Sequence, residues 1–286
     1  MKLILLLLIG TMTTVSCQNF GSLTITHSLP ESLEEISGIT LASDSSMIWA
    51  INDSGNKALI YGYQPGSNSI VRTIAITNGD NKDWEDIATD GEKTLYIGDF
   101  GNNQNYRKDL VIYSVTIPDS LPHAKTEALK TTFTLEDQEK FPPKKKHRNF
   151  DIEAFVYSDG FFYLFTRNRS SKFDGTTKMY RLPAKSGHYK AKLIDTFQTC
   201  KDYDDCQVTG ASLDRSNRQL ALLSYNKVWI FSDYENDEFF SATVEEIKLK
   251  HRSQKESITF KDSNTLYIAD ERNGSEGGNL YILRLK

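Results

Sequence analysis

The sequence predicts an all-β fold, a five-bladed β-propeller with four antiparallel strands per blade. Three observations carry this expectation. A short phrase that opens a strand recurs five times along the 286 residues. Each opening is followed by an apolar strand of the Leu-Tyr-Ile kind, which usually ends in a polar residue. The last unit lacks a fourth strand, while Ser22–Leu29 alternates like a strand and has no partner nearby. Four strands per unit, repeated radially, is propeller architecture.

The opening phrases are Ile36-Ser37-Gly38-Ile39, Trp84-Glu85-Asp86-Ile87, Ile152-Glu153-Ala154-Phe155, Val208-Thr209-Gly210-Ala211 and Lys255-Glu256-Ser257-Ile258. Second strands are expected at Met47–Asn52, Leu95–Asp99, Phe162–Thr166, Leu220–Tyr225 and Leu266–Asp270. Third strands follow at Ala58–Tyr63, Leu110–Val115, Lys178–Leu182, Lys227–Phe231 and Asn279–Leu285, and fourth strands at Ile70–Ile76, Leu129–Leu135, Lys190–Phe197 and Ala242–Leu249. The N-terminal stretch is expected to close the ring by joining the last blade, because an open ring leaves an unpaired sheet edge. The longer intervals between openings hold two insertions, Glu136–Asn149 with Pro142-Pro143 and the polar Arg169–Thr177, both expected as surface loops. A β-sandwich is the plainer all-β alternative, but it needs no five equivalent phrases.

The first residues read as an export signal. Lys2 is a positive start, Leu3–Ile9 is an apolar run too short to span a bilayer, and small or polar residues lead to Cys17. Thr14-Val15-Ser16-Cys17 resembles a bacterial lipobox, in which Cys17 is the acylated residue; Thr14 stands where Leu is usual. The division expected is a signal peptide at 1–16, a lipid-anchor tether at 17–21 and the propeller at 22–286. Localisation is then the bacterial cell envelope, periplasm or outer membrane, held only through the lipid. Cys200 and Cys206 close a short loop as a disulfide in an oxidising compartment. The five His are scattered, none at zinc-ligand spacing beside these cysteines. A formal net charge of −4 offers no general attraction for nucleic acid. A monomer is expected.

The first strand of each blade lines the channel of a propeller, so Ser37, Glu85, Glu153, Thr209 and Glu256 should converge on the axis. Three converging carboxylates repel one another, and burial raises that cost. A cation removes it. All-oxygen donors on a wide ring favour Ca2+ over the tight octahedron of magnesium. Plain hydrogen bonding of each Glu to nearby amides or basic groups is the structural alternative.

The succession Ser, Glu, Glu, Thr, Glu, one per blade, resembles the soluble calcium-activated nucleotidases of the apyrase type. Trp84-Glu85-Asp86-Ile87-Ala88 before Leu95-Tyr96-Ile97-Gly98, and Glu153-Ala154-Phe155 before Phe161-Phe162-Tyr163-Leu164, are similar to that family, as is the turn Asn52-Asp53-Ser54-Gly55. Bacterial esterase-like phytase and SdiA-regulated propellers share such phrases. The resemblance implies five blades with calcium on the axis. Ser54 stands near where the nucleotidases carry an Arg, and Gly101–Asn105 replaces a Lys-Glu-Trp feature.

Ends of second strands should surround the axis. They are Asn52 and Asp53; Asp99, Asn102 and Asn103; Arg167 and Arg169; Tyr225 and Asn226; and Asp270, Glu271 and Arg272. A basic run, Lys144–Arg148, lies on an interblade loop of the same face. Arg107, Arg148, Arg167 and Arg169, with Asn52, Asn103 and Asp270, are candidates to hold a small anionic ligand such as a phosphate ester. Asp53 and Asp99 are candidates to orient water beside a Lewis-acid cation. Glu85 and Asp86, as strand neighbours, should face opposite ways, which argues against a glycosidase pair. Two functions compete: a calcium-dependent hydrolase of phosphate esters or anhydrides, and a non-catalytic propeller that binds a glycan or protein around a structural calcium. Sugar-lactone hydrolysis fits less well, since those enzymes have six blades.

Overall fold

A computed structural model describes residues 20–66, 69–118 and 121–286. The expected signal peptide, the lipobox and Cys17 lie outside the described residues. The chain begins with β1 (Thr24–Ser28), then β2 (Ile36–Leu41), β3 (Ile48–Asn52), β4 (Leu59–Gln64) and β5 (Ser69–Ile76). It continues as β6 (Trp84–Thr89), β7 (Thr94–Asp99), β8 (Leu110–Thr116), the short β9 (His123–Thr126) and β10 (Leu129–Leu135). Next come β11 (Asp151–Ser158), β12 (Phe161–Arg167), β13 (Thr176–Pro183) and β14 (Gly187–Gln198). Then follow β15 (Gly210–Asp214), β16 (Gln219–Leu223), β17 (Lys227–Ser232) and β18 (Thr243–Lys248). The last strands are β19 (Lys255–Asp262), β20 (Thr265–Asp270), the two-residue β21 (Arg272–Asn273) and β22 (Glu276–Gly277), and β23 (Asn279–Arg284).

The sheets are antiparallel meanders whose innermost strands are β2, β6, β11, β15 and β19. Each of these packs beside the next, and β19 returns to β2, so the inner strands form a closed cycle. β1 pairs antiparallel with β23 and completes the sheet β1-β23-β20-β19.

The second strand of each meander is buried on both faces, which is why it reads as a continuous apolar run. In β12, Phe162 and Leu164 face the preceding meander while Tyr163 and Phe165 face the following one. The same division holds in β16, with Leu220 and Leu222 on one side and Ala221 and Leu223 on the other. Apolar clusters thus lie between successive sheets, with Trp49, Trp84 and Trp229 among the largest buried side chains. Burying such a side chain contributes on the order of 1.5–3 kcal/mol.

Two pairings depart from the simple repeat. β9 adds to the edge of β5 in parallel, and β10 pairs in parallel with the first half of β14. The second pairing fuses two meanders into an eight-stranded sheet. Both cover edges that would otherwise carry unpaired N–H and C=O groups. The insertions are also less superficial than expected: Gln138, Ser170 and Thr177 are buried. Ser170 Oγ donates to the Lys146 carbonyl at 2.8 Å, which ties the two insertions together.

Candidate functional site

The residues expected on the axis sit where the inner ladders slip register. Ser37, Glu85, Glu153 and Glu256 are each skipped between paired neighbours, Ile36/Gly38, Trp84/Asp86, Ile152/Ala154 and Lys255/Ser257. Thr209 stands just ahead of β15, its N–H on the Leu223 carbonyl at 2.9 Å. A bulge leaves its extra residue out of the ladder and re-aims its side chain. All five of these residues are buried.

Glu85 and Asp86, neighbours at this bulge, have different partners. Both are buried. Asp86 accepts the N–H of Ile87 at 2.8 Å and of Phe155, on β11, at 3.0 Å, and also engages the Ala211 N–H on β15. The equivalent residues of the other repeats are Gly38, Ala154, Gly210 and Ser257, small enough to leave it room. Asp86 is therefore a tie between inner strands. Burial pushes its carboxyl well above the usual range despite those amides.

Glu85 belongs to a set of carboxylates at the channel mouth. Oxygens of Asp53, Asp83 and Glu85 lie within 4.8 Å of one another, and so do those of Asp53, Glu256 and Glu271. Asp53 is common to both groups. Burial, followed by the Glu256, Asp83 and Glu153 charges, lifts Asp53 to about 7 against the pull of the Ser54 amide. Burial lifts Asp83 to about 6 and Glu271, beside Glu256, to about 10. Burial and the Glu153 charge push Glu85 well above its ordinary value. Buried carboxylates this close resist full ionisation unless positive charge is supplied.

Two arginines supply part of it. Arg167 reaches Glu153 at 3.0 Å, Glu256 at 3.4 Å and the Tyr225 hydroxyl at 2.8 Å. Tyr225 in turn donates to Glu256 at 3.0 Å. Arg169 grips Asp151 at 2.6 Å and Glu153 at 2.7 Å. Burial alone would raise Glu153, yet the two guanidiniums hold its carboxyl below the usual range. Asp151 goes the other way, since burial and the Glu153 charge outweigh Arg169.

The set fits a hard cation on three counts. Its donors are all oxygen. The buried Ser37 hydroxyl has no hydrogen-bond partner among the described residues. Gly101 passes so close that a Cβ there would lie 2.0 Å from Glu85 Oε1 and 2.5 Å from the Asp83 carboxyl carbon, so the chain cradles the two acids. The residues that would hold an ion are Asp53 with Asp83 and Glu85, or Asp53 with Glu256 and Glu271.

Of the carboxylates of the expected ring, Glu85 and Glu256 fall in these groups and Glu153 does not. Glu153 is committed to arginines, and the Thr209 hydroxyl donates to the Lys255 carbonyl at 2.7 Å. Asp99 is not a free base: Arg107 meets it at 2.8 Å and the Asp83 N–H donates to it. Arg107 also donates to the Gly101 carbonyl and Asp109, so its fork is filled. Arg167 and Arg169 face carboxylates instead of an open anion site. Arg148 holds Gln104 at 2.9 Å, and Asn103 is exposed. Asn52 lies beside Asp53, its amide on the Ser32 carbonyl and its buried Oδ1 without a partner among the described residues. Asp270 is fully buried and accepts from Tyr281 and the Asn279 N–H, a role within its own sheet. Cys200 and Cys206 are joined as a disulfide.

Asp83 and Asp151 escaped the sequence reading. A signal existed: the residues two before the ring positions are Glu35, Asp83, Asp151, Gln207 and Gln254, all carboxyl or amide. Glu35 accepts from Asn56 at 2.6 Å, and Gln254 donates to Glu271.

No family model matches the chain, and no curated protein matches it. Solved structures do. The PQQ-bound aldose sugar dehydrogenase of Streptomyces coelicolor aligns with TM-score 0.53 at 9 % identity, covering 92 % of this chain and 98 % of that one. The β-propeller domain of Cps50 (Swd1) from Myceliophteria thermophila aligns at 0.42 with 10 % identity over 88 % and 84 %. Hydrazine synthase of Kuenenia stuttgartiensis aligns at 0.46 with 12 % identity over 91 % and 97 %. At such identities a likeness concerns fold alone, and the likeness to the sugar dehydrogenase, with the cyclic packing of the inner strands, makes this chain an all-β propeller.

Proposed function

We propose that this protein is an exported, lipid-anchored propeller of five blades that binds a divalent cation, calcium by preference, at one mouth of its channel. The observation that carries the reading is the pair of carboxylate groups sharing Asp53. Seven acids gather there, Asp53, Asp83, Glu85, Asp151, Glu153, Glu256 and Glu271, against Arg167 and Arg169. The excess is negative, so the mouth favours a cation first. When bound, calcium would supply the positive charge that holds a phosphate, carboxylate or sugar oxygen. This chain's own residues fix the acids: Gly101 lets Asp83 and Glu85 approach, Arg167 spaces Glu153 from Glu256, and Asp86 ties the strands behind them.

Because the arginines are internally paired, ligand binding through the cation is favoured over an arginine clamp. Hydrolysis of a phosphate ester is a second reading, favoured by Asp53, which is only partly buried and stands beside both groups. Metal analysis of purified protein, with melting curves in chelator and in calcium, tests the main reading. Lack of bound divalent ion together with an unchanged melting temperature would refute it. Turnover of nucleotides or sugar phosphates that chelation abolishes would establish the second. Loss of membrane association in Cys17→Ser tests the anchor.

A further inference from the structure

A groove lies apart from the acidic cluster, between the segment 137–150 and the segment 168–178. Its volume is about 660 Å³, within the range of about 300–1,000 Å³ usual for ligand sites. Lys140, Lys144, Lys146 and Lys172 line it, and all four are exposed. Among the described residues none of these four ammonium groups has an ion-pair partner within 4.0 Å. Lys178, which also lines it, is spent on Asp137 and covers the Phe150 ring at 3.9 Å. Asp137 is thereby neutralised, whereas Glu139 and Asp174 keep their charge, Asp174 accepting from Asn168 and the Thr176 N–H.

The walls are held in place. The Ser170 hydroxyl and the Ser171 N–H donate to the Lys146 and Lys145 carbonyls at 2.8 and 3.1 Å. Asn149 Nδ2 donates to the Thr176 carbonyl at 2.9 Å. The backbone thus gathers four lysines against the two remaining lining acids, Glu139 and Asp174, an excess of positive charge on a protein whose net charge is −4. Mutual repulsion of the lysines is relieved by an anion that spans them. The amides lining the groove, Asn149 and Asn168, already have partners, so charge is what the groove offers a ligand. Lysine ammoniums are compact point charges that suit phosphate or sulfate oxygens without a planar fork.

We propose that this groove binds a ligand carrying several phosphate or sulfate groups, held by Lys140, Lys144, Lys146 and Lys172. The site works without the axial cation and is separate from the reading above. Titration calorimetry of the whole protein in chelator, at about physiological ionic strength where exposed charges more than ~8 Å apart are largely screened, tests it with two probes. Inorganic tripolyphosphate and sucrose octasulfate separate phosphate from sulfate recognition. One equivalent of at least one probe should bind. Lys146→Glu with Lys172→Glu should weaken it by about tenfold or more, the equivalent of one strong polar contact. Lys190→Glu with Lys192→Glu, on exposed β14, should leave it unchanged. Binding of neither probe, or equal weakening by both double variants, overturns the proposal. Both variants change exposed side chains, and matched melting curves exclude misfolding as the cause.

Discussion

Replacing Arg167 with methionine removes a guanidinium from between two buried glutamates while keeping much of the side-chain bulk. The arginine meets Glu153 at 3.0 Å and Glu256 at 3.4 Å and is itself buried. At about 4 Å and an effective dielectric of about 20, each attraction is about 4 kcal/mol. The desolvation that the arginine no longer suffers offsets part of this, and breaking a buried pair typically costs about 3–5 kcal/mol. At about 2 °C per kcal/mol for a chain of this size, the melting temperature in chelator should fall by about 6–10 °C. Fluorescence of Trp49, Trp84 and Trp229, all buried, reports the transition. Glu153 and Glu256 are then short of positive charge, and a divalent ion can supply it. Calcium at about a hundred times its dissociation constant adds about 2.7 kcal/mol to any protein that binds it natively. The variant should bind it more tightly than the wild type, so calcium should raise the variant's melting temperature by the larger increment. A variant that melts like the wild type in chelator would refute the reasoning. So would a calcium increment of equal size in both proteins.

Gly101→Ala should abolish calcium-dependent stabilisation, because its Cβ would meet the Glu85 and Asp83 carboxyl groups; calorimetric titration with calcium checks this. Asp86→Ala leaves the buried Ile87 and Phe155 amides without their acceptor and, at about 1–3 kcal/mol per unsatisfied group, should destabilise by about 2–6 kcal/mol in urea melts, with Asp86→Asn losing less. Replacing Cys200 and Cys206 by serine opens a short loop with sequence separation 6, and loop entropy predicts a loss of about 2 kcal/mol in the same assay.

Second strands were the most legible part of the sequence because both their faces are buried. Phe162–Phe165 and Leu220–Leu223 need no alternation to be recognised. Parallel edge pairing was not legible: the half of β14 that meets β10 carries one buried residue, Ala191, among glycine, histidine, a half-buried tyrosine and lysine, so nothing in it marks a partner. The axial positions were legible through repetition, but their partners were not. Arg167 ends an apolar strand like any rim residue, and only the packed structure turns it toward Glu153 and Glu256.

The pairing of β1 with β23 imposes an order in time. Thr24–Ser28 is synthesised before every other described strand, and its partner Asn279–Arg284 after all of them. The final sheet cannot be completed until β23 has been made, and its closure joins the first and last of the described strands. Such distant contacts fold slowly. Until they form, β1 and β20 each present a bare edge to neighbouring molecules. A chaperone that shields the nascent N-terminal segment should therefore raise the yield of folded protein.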